Sequence, residues 1–174
     1  MFKEEREEPK FDWSMIGDVS AGRPNLGTET KVVVYRLLQF VLRDVLIRKH
    51  GVQDTDEVFY EAGEQAGHEY YKNVITHKSD FDSFVNDLQK TLKELSIGIL
   101  RIESADLDNM IFTLTVAEDL DCSGLPVCDE EICTFDEGFI AGLLSEHTGK
   151  TFKVKEVDCW CSGDRVCRFK VKPI

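Results

Sequence analysis

The stretch GILRIESADLDNMIFTLTV, residues 98–116, decides the fold. Before it, apolar residues recur every three or four positions; within it they alternate on either side of a connection at 105–109. A switch from a period near 3.6 to a period of 2 marks the passage from helix to strand, and two alternating runs across a short link read as a β-hairpin.

Working back from the hairpin, Val33, Leu37, Leu38, Val41, Val45 and Leu46 recur at helical spacing, Thr28 can cap the start and Gly51 follows the last turn, which predicts a helix over 29–50. A second helix is expected from an Asp54 or Thr55 cap to about Ile75, with Val58, Phe59, Ala62, Ala66 and Tyr70 on one face. Its Gly63 and Gly67 lie four apart and so share a face that another backbone can approach. A third helix starts at Asp80 and turns Phe81, Phe84, Val85, Leu88, Leu92 and Leu95 toward a core. Residues 1–28 carry mixed charge with Gly22, Pro24 and Gly27, and predict a lead, a short extended piece and a loop.

Working forward, a Cys-Ser-Gly-Leu-Pro loop precedes a helix over Thr134–Thr148 that stops at Gly149, and Phe152–Cys159 and Val166–Val171 form a last hairpin. The order is helices, hairpin, helix, hairpin. It predicts an α+β domain with an antiparallel sheet and helices on one face, spanning 29–174 behind an N-terminal lead.

Composition narrows the function. A chain of 174 residues buries a core without disulfide staples. A net charge of −12, with Lys and Arg scattered, argues against direct nucleic-acid binding. There is no run of about 18 apolar residues, and the first residues, MFKEEREEPKFDW, are charged, so neither a membrane span nor export is expected and the location is read as cytoplasmic. In that reducing setting, six cysteines point to metal binding or catalysis before disulfides.

Three of the six lie in KEVDCWCSGDRVC, residues 155–167. If Ser162–Asp164 form a three-residue turn, Cys159 faces Cys167 across the ladder, close enough for both sulfurs to hold one ion. Glu156, three residues before Cys159, joins them only if the strand bulges. Cys133, at the start of the helix Thr134–Thr148, is the natural further ligand, with Cys122 and Cys128 behind it; a helix N-terminus favours a thiolate. Three thiolates and a carboxylate suit tetrahedral zinc. A redox thiol pair and plain buried cysteines remain alternatives on spacing alone, and Cys122 and Cys161 read most simply as spare or packing residues.

The segment Cys133…GFIAGLLSEHTGK…KEVDCWCSGDRVCRF resembles the C-terminal half of the vinyl-4 reductase domain family. These small domains take their name from a protein of bacteriochlorophyll synthesis and also serve as the sensor part of aromatic-responsive transcription activators. The sensor pattern of a cysteine at a helix start, then Glu-x-x-Cys, then a cysteine after seven residues, falls on Cys133, Glu156, Cys159 and Cys167. The resemblance implies that these four hold one zinc. It is strong beyond residue 120 and extends to Tyr35–Leu38 upstream. It implies the α+β fold of TRAPP vesicle-tethering subunits and haem nitric oxide-binding domains.

On that basis the chain is expected to be a binding or sensor domain for a small apolar, aromatic or hydrocarbon-like molecule. Phe81, Phe84, Phe112 and Phe139 are candidates for the pocket wall, in a homodimer built on the helix 29–50, with output through a downstream protein partner. Reduction of a tetrapyrrole vinyl group is the alternative implied by the family name, but hydride transfer needs a donor, and no G-x-G-x-x-G motif follows a strand. A non-enzymatic scaffold is a third reading. No catalytic residue is assigned: His50, His68, His77 and His147 do not cluster in sequence, and each is expected on a solvated helix face.

Overall fold

The computed structural model describes residues 11–174. A 3-10 turn, Trp13–Ile16, and one helical turn, α1 (Val19–Gly22), open it. The expected extended piece is thus absent from this region: the carboxylates of Asp12 and Asp18 accept from Ser14 N and Ala21 N and turn the chain into short capped helices instead. Residues 1–10 of the expected lead lie outside the described residues.

Helices α2 (Val32–His50), α3 (Val52–Asn73) and α4 (Phe81–Glu94) follow. Asp80 caps α4 by accepting from Ser83 N. The hairpin then forms as β1 (Ile99–Asp106) and β2 (Ile111–Ala117), followed by α5 (Thr134–Thr148), β3 (Phe152–Asp158) and β4 (Cys167–Pro173). The sheet order is β1-β2-β4-β3, antiparallel throughout, so the two hairpins join edge to edge through β2 and β4.

One sheet face is packed. Leu100, Phe112, Leu114, Val116, Phe152, Val154, Cys167, Phe169 and Val171 are buried against α4 and α5. Helix α3 lies on α5 at backbone contact, because a Cβ at Gly63, Gly67, Gly138 or Gly142 would collide with main-chain atoms of the other helix. Gly63 and Gly67 therefore serve a contact within the chain. The expectation that they bring two copies together is corrected: α5 of the same chain already occupies that face.

Helix α2 is docked the other way round from an ordinary surface helix. None of its residues is fully buried, and Val32, Val33, Val34, Leu37, Leu38, Val41 and Leu42 are 45–71% exposed. Its polar residues hold it down. Tyr35 Oη donates to Asp121 at 2.8 Å, Gln39 Nε2 donates to Asp121 at 2.7 Å, and Arg36 donates to the carbonyls of Leu120 at 2.8 Å and Ser123 at 2.9 Å. Arg43 pairs with Asp56 of α3.

Candidate functional site: a four-sulfur cluster beside an apolar cavity

The last hairpin is wider than the sequence predicts. The β3–β4 ladder ends at Asp158–Arg168, and residues 159–166 wind as successive turns in which Cys159 O accepts from Ser162 N and Asp164 N. Trp160 and Cys161 are drawn out of the ladder by other partners: the indole N–H donates to Leu125 O at 2.9 Å, and Cys161 O accepts from Cys128 N and Asp129 N. Cys159 and Cys167 nonetheless flank the turn on the same side. The register shifts between Glu156 and Asp158, and Glu156 is turned inward with Phe152 and Val154 ahead of this irregularity.

Four sulfurs converge. The Sγ atoms of Cys122, Cys133, Cys159 and Cys167 all lie within 4.8 Å of one another, and these residues are 0–1% exposed. Cys133 Sγ is 3.9 Å from Cys159 Sγ and 3.8 Å from Cys167 Sγ, and Cys122 Sγ is 3.1 Å from Cys167 Sγ. Each cysteine comes from a different piece of the chain: the loop after β2, the N-cap of α5, the end of β3 and the start of β4. Cys161 is buried outside this group, where burial pushes its thiol up to about 12, and Cys128 is exposed.

Glu156 is buried next to the cluster and bound to the start of α5. Its Oε2 accepts from Cys133 N at 3.0 Å, its own N–H donates to Glu137 Oε1 at 2.8 Å, and its Oε1 is buried with no hydrogen-bond partner among the described residues. No oxygen of Glu156 lies within 4.8 Å of all four sulfurs. Burial raises its carboxyl to about 8. Among the sulfurs, the Cys159 thiol is lowered because the Cys122, Cys133 and Cys167 side chains bond to it, while the Cys133 thiol is raised by holding its proton toward Cys122, Cys159 and Cys167.

The donor set suits zinc. Zinc–sulfur bonds of about 2.3 Å in a tetrahedron place ligand sulfurs about 3.8 Å apart. Two of the observed separations match that edge. Four buried protein ligands leave no open position, which makes such a site structural.

Beside the cluster lies an apolar cavity of about 50 Å³ between α4, α5, β1 and β2. Phe81, Phe84, Phe112 and Phe139 all line it, together with aliphatic residues of the same elements; Asp119 and Asp136 are the acidic residues of its lining. Phe81 stacks on Phe112 with ring centres 5.0 Å apart. Burial raises the Asp119 carboxyl to about 7 and holds that of Asp136 well above the usual range. His147 departs from the expected solvated position: its ring stacks on Phe84, centre to centre 4.3 Å, and faces Tyr71, because the exit of α5 runs past the aromatic start of α4.

Cys122 is the member of the cluster that sequence spacing hides. Its position follows from a strand pairing, Val116 opposite Cys167, which delivers the loop after β2 to the other three sulfurs.

Comparison with known proteins places this geometry. The family model of the vinyl-4-reductase domain matches residues 112–173. An uncharacterised protein of Methanocaldococcus jannaschii is 30% identical over 147 residues, covering 84% of this chain and 80% of that protein. Among solved structures, a vinyl-4-reductase family protein from Methanocaldococcus jannaschii superposes with a TM-score of 0.63 at 21% identity, covering 96% of this chain and 99% of the other. The phenol-responsive sensory domain of the transcription activator PoxR, solved with phenol, gives a TM-score of 0.65 at 15% identity over 84% of this chain and 76% of that one. Trafficking protein particle complex subunit 3 from Naegleria fowleri, covalently bound to palmitic acid, gives 0.65 at 11% identity over 82% and 95%. The fold is thus the α+β fold of the sensory domain and the TRAPP subunit, and by sequence the chain belongs to the vinyl-4-reductase domain family.

Proposed function

We propose that this protein is a binding or sensor domain for a small apolar molecule, held in the cavity between α4, α5 and the sheet, with a structural zinc at the adjacent cysteine cluster. The observation that carries the reading is the cavity itself: an internal space walled by aromatic and aliphatic side chains in a fold whose relatives include one solved with phenol and another with palmitic acid attached. At about 50 Å³ it is smaller than the roughly 150 Å³ cavity that accepts benzene in an engineered protein, so a ligand of that size enters by moving side chains such as Phe81 and Phe139, which are only partly buried.

The zinc reading rests on Cys133, Cys159 and Cys167, with a fourth ligand from the same pocket, where Glu156 and Cys122 both sit. An ion there ties β3 and β4 to the N-terminus of α5 and so fixes one end of the cavity wall.

The exposed stripe on α2 supports a homodimer. Val33, Leu37 and Val41 form one i, i+4 row and Val34, Leu38 and Leu42 a second, a contiguous apolar face on a helix already anchored by its polar side. Monomers seldom leave such a face in water, and a two-fold pairing covers it with the same face of a second copy.

Native mass spectrometry of the purified protein tests the proposal. A dimer carrying one zinc per chain and a small apolar mass is expected. A metal-free monomer without bound ligand, and without affinity for phenols, alkylbenzenes or fatty acids, contradicts it.

A further inference from the structure

The identity of the fourth metal ligand rests on the zinc reading and goes beyond it. We infer that Cys122 is that ligand, so that the site is four thiolates, and that Glu156 is a positioning residue that holds the Cys133 main chain from outside the coordination sphere.

The geometry separates the two candidates. All four sulfurs fall within a sphere that one ion can bridge, whereas the Glu156 carboxylate does not reach all of them. Glu156 Oε2 is already committed to Cys133 N at 3.0 Å, and its main-chain N–H is fixed on Glu137, so moving the carboxylate inward breaks the first of these bonds.

The loop that carries Cys122 is built to present it. Asp119 Oδ1 accepts from Asp121 N at 2.8 Å and Cys122 N at 3.1 Å, closing a tight turn that points the Cys122 side chain into the core. From outside, Arg36 gathers the carbonyls of Leu120 and Ser123, and Tyr35 and Gln39 hold Asp121. This much hydrogen bonding around one loop fixes the place of a single sulfur that is 0% exposed. The 3.1 Å approach of Cys122 to Cys167 is shorter than a tetrahedral edge of about 3.8 Å, and coordination opens it by moving one thiolate along its χ1.

The consequence concerns coupling. A ligand at Cys122 joins the metal to the loop that grips α2, so the ion links the last hairpin, the start of α5 and the helix with the exposed apolar face. With Glu156 as the fourth ligand, that loop would be left out of the site.

Zinc K-edge absorption on the intact zinc-loaded protein, on Cys122→Ser and on Glu156→Gln tests this. Four sulfurs at about 2.3 Å are expected in the wild type and in Glu156→Gln, and three sulfurs with one lighter atom in Cys122→Ser. Cobalt-loaded samples carry the same information, since sulfur-to-cobalt charge transfer weakens in Cys122→Ser and stays at wild-type intensity in Glu156→Gln. If Cys122→Ser fails to fold, the wild type and Glu156→Gln still decide. Three sulfurs and one oxygen in the wild type, or a shell altered by Glu156→Gln, overturns this assignment and leaves the zinc reading standing. Protein that takes up no zinc, including protein in which Cys122 and Cys167 resist alkylation as a disulfide, overturns both.

Discussion

The main-chain N–H of Cys133 donates to Glu156 Oε2 at 3.0 Å, so a strand side chain caps the first turn of α5 at the edge of the sulfur cluster. Glu156 N returns the connection to Glu137 Oε1, and together the two bonds staple β3 to α5. Glu156→Leu leaves Cys133 N–H buried without an acceptor, and a loss of about 1–3 kcal/mol is expected. Glu156→Gln keeps an oxygen acceptor and is expected to lose less. Urea unfolding midpoints of the two variants check the difference.

Where α3 crosses α5, a methyl group at Gly138 would run into Tyr60 O and one at Gly142 into Glu64 O. Neither backbone can retreat without separating the helices. Gly138→Ala and Gly142→Ala are each expected to cost more than about 3 kcal/mol or to abolish folding. Gly22→Ala, in open space without a positive φ, should change stability by less than about 0.5 kcal/mol. Circular dichroism melts of the three variants measure the contrast.

Asp87 supplies the acid sensitivity. Burial alone would raise its pKa, but hydrogen bonds from Thr76 N at 2.6 Å, His77 N at 3.1 Å and Thr76 Oγ1 at 3.0 Å outweigh burial and hold the carboxyl at about 2. A carboxyl whose pKa is depressed on folding contributes stability above its ordinary value of 3.8, and that contribution disappears as the pH falls toward about 2. It amounts to about 1–2 kcal/mol. Asp87→Asn should therefore be less stable than wild type at pH near 5, with the gap closing toward pH near 2, as followed by urea midpoints across that range.

On α2, Leu38 stands 71% exposed in the middle of the apolar stripe. Leu38→Glu is expected to yield a monomer with an unchanged far-ultraviolet spectrum, because the side chain is not part of the chain's own core. Sedimentation equilibrium checks it. A wild type that is already monomeric at tens of micromolar, or a Leu38→Glu variant that remains dimeric, places the dimer contact elsewhere or removes it.

Periodicity is enough to recover the element order, the α+β class and both hairpins, since each element has one apolar face and an obvious stop such as Gly51 or Gly149. Pairwise facts are less legible. Gly63 and Gly67 advertise a close approach, but nothing local says that Gly138 and Gly142 answer them from the same chain. The apolar stripe of α2 looks like any core-facing stripe, and only the hydrogen bonds of Tyr35, Arg36 and Gln39 show that its polar side faces inward. Cys133, Cys159 and Cys167 can be brought together from local geometry and family pattern, whereas Cys122 depends on the β2–β4 pairing. His147 escapes the same reasoning because a helical wheel cannot show which aromatic rings arrive from α4.

The central claim is that the cavity walled by Phe81, Phe84, Phe112 and Phe139 receives a small apolar molecule, and a thermal-shift titration tests it most directly. Phenols, alkylbenzenes and fatty acids are titrated against the wild type and against Leu114→Phe, which fills the cavity from β2. Ligand that binds only the folded state stabilises it by RT ln(1 + [L]/Kd), so a concentration of about 100 Kd adds about 2.7 kcal/mol and raises Tm by several degrees. The account predicts such a rise with at least one class in the wild type and its loss in Leu114→Phe. No rise with any class, or an equal rise in both proteins, contradicts it.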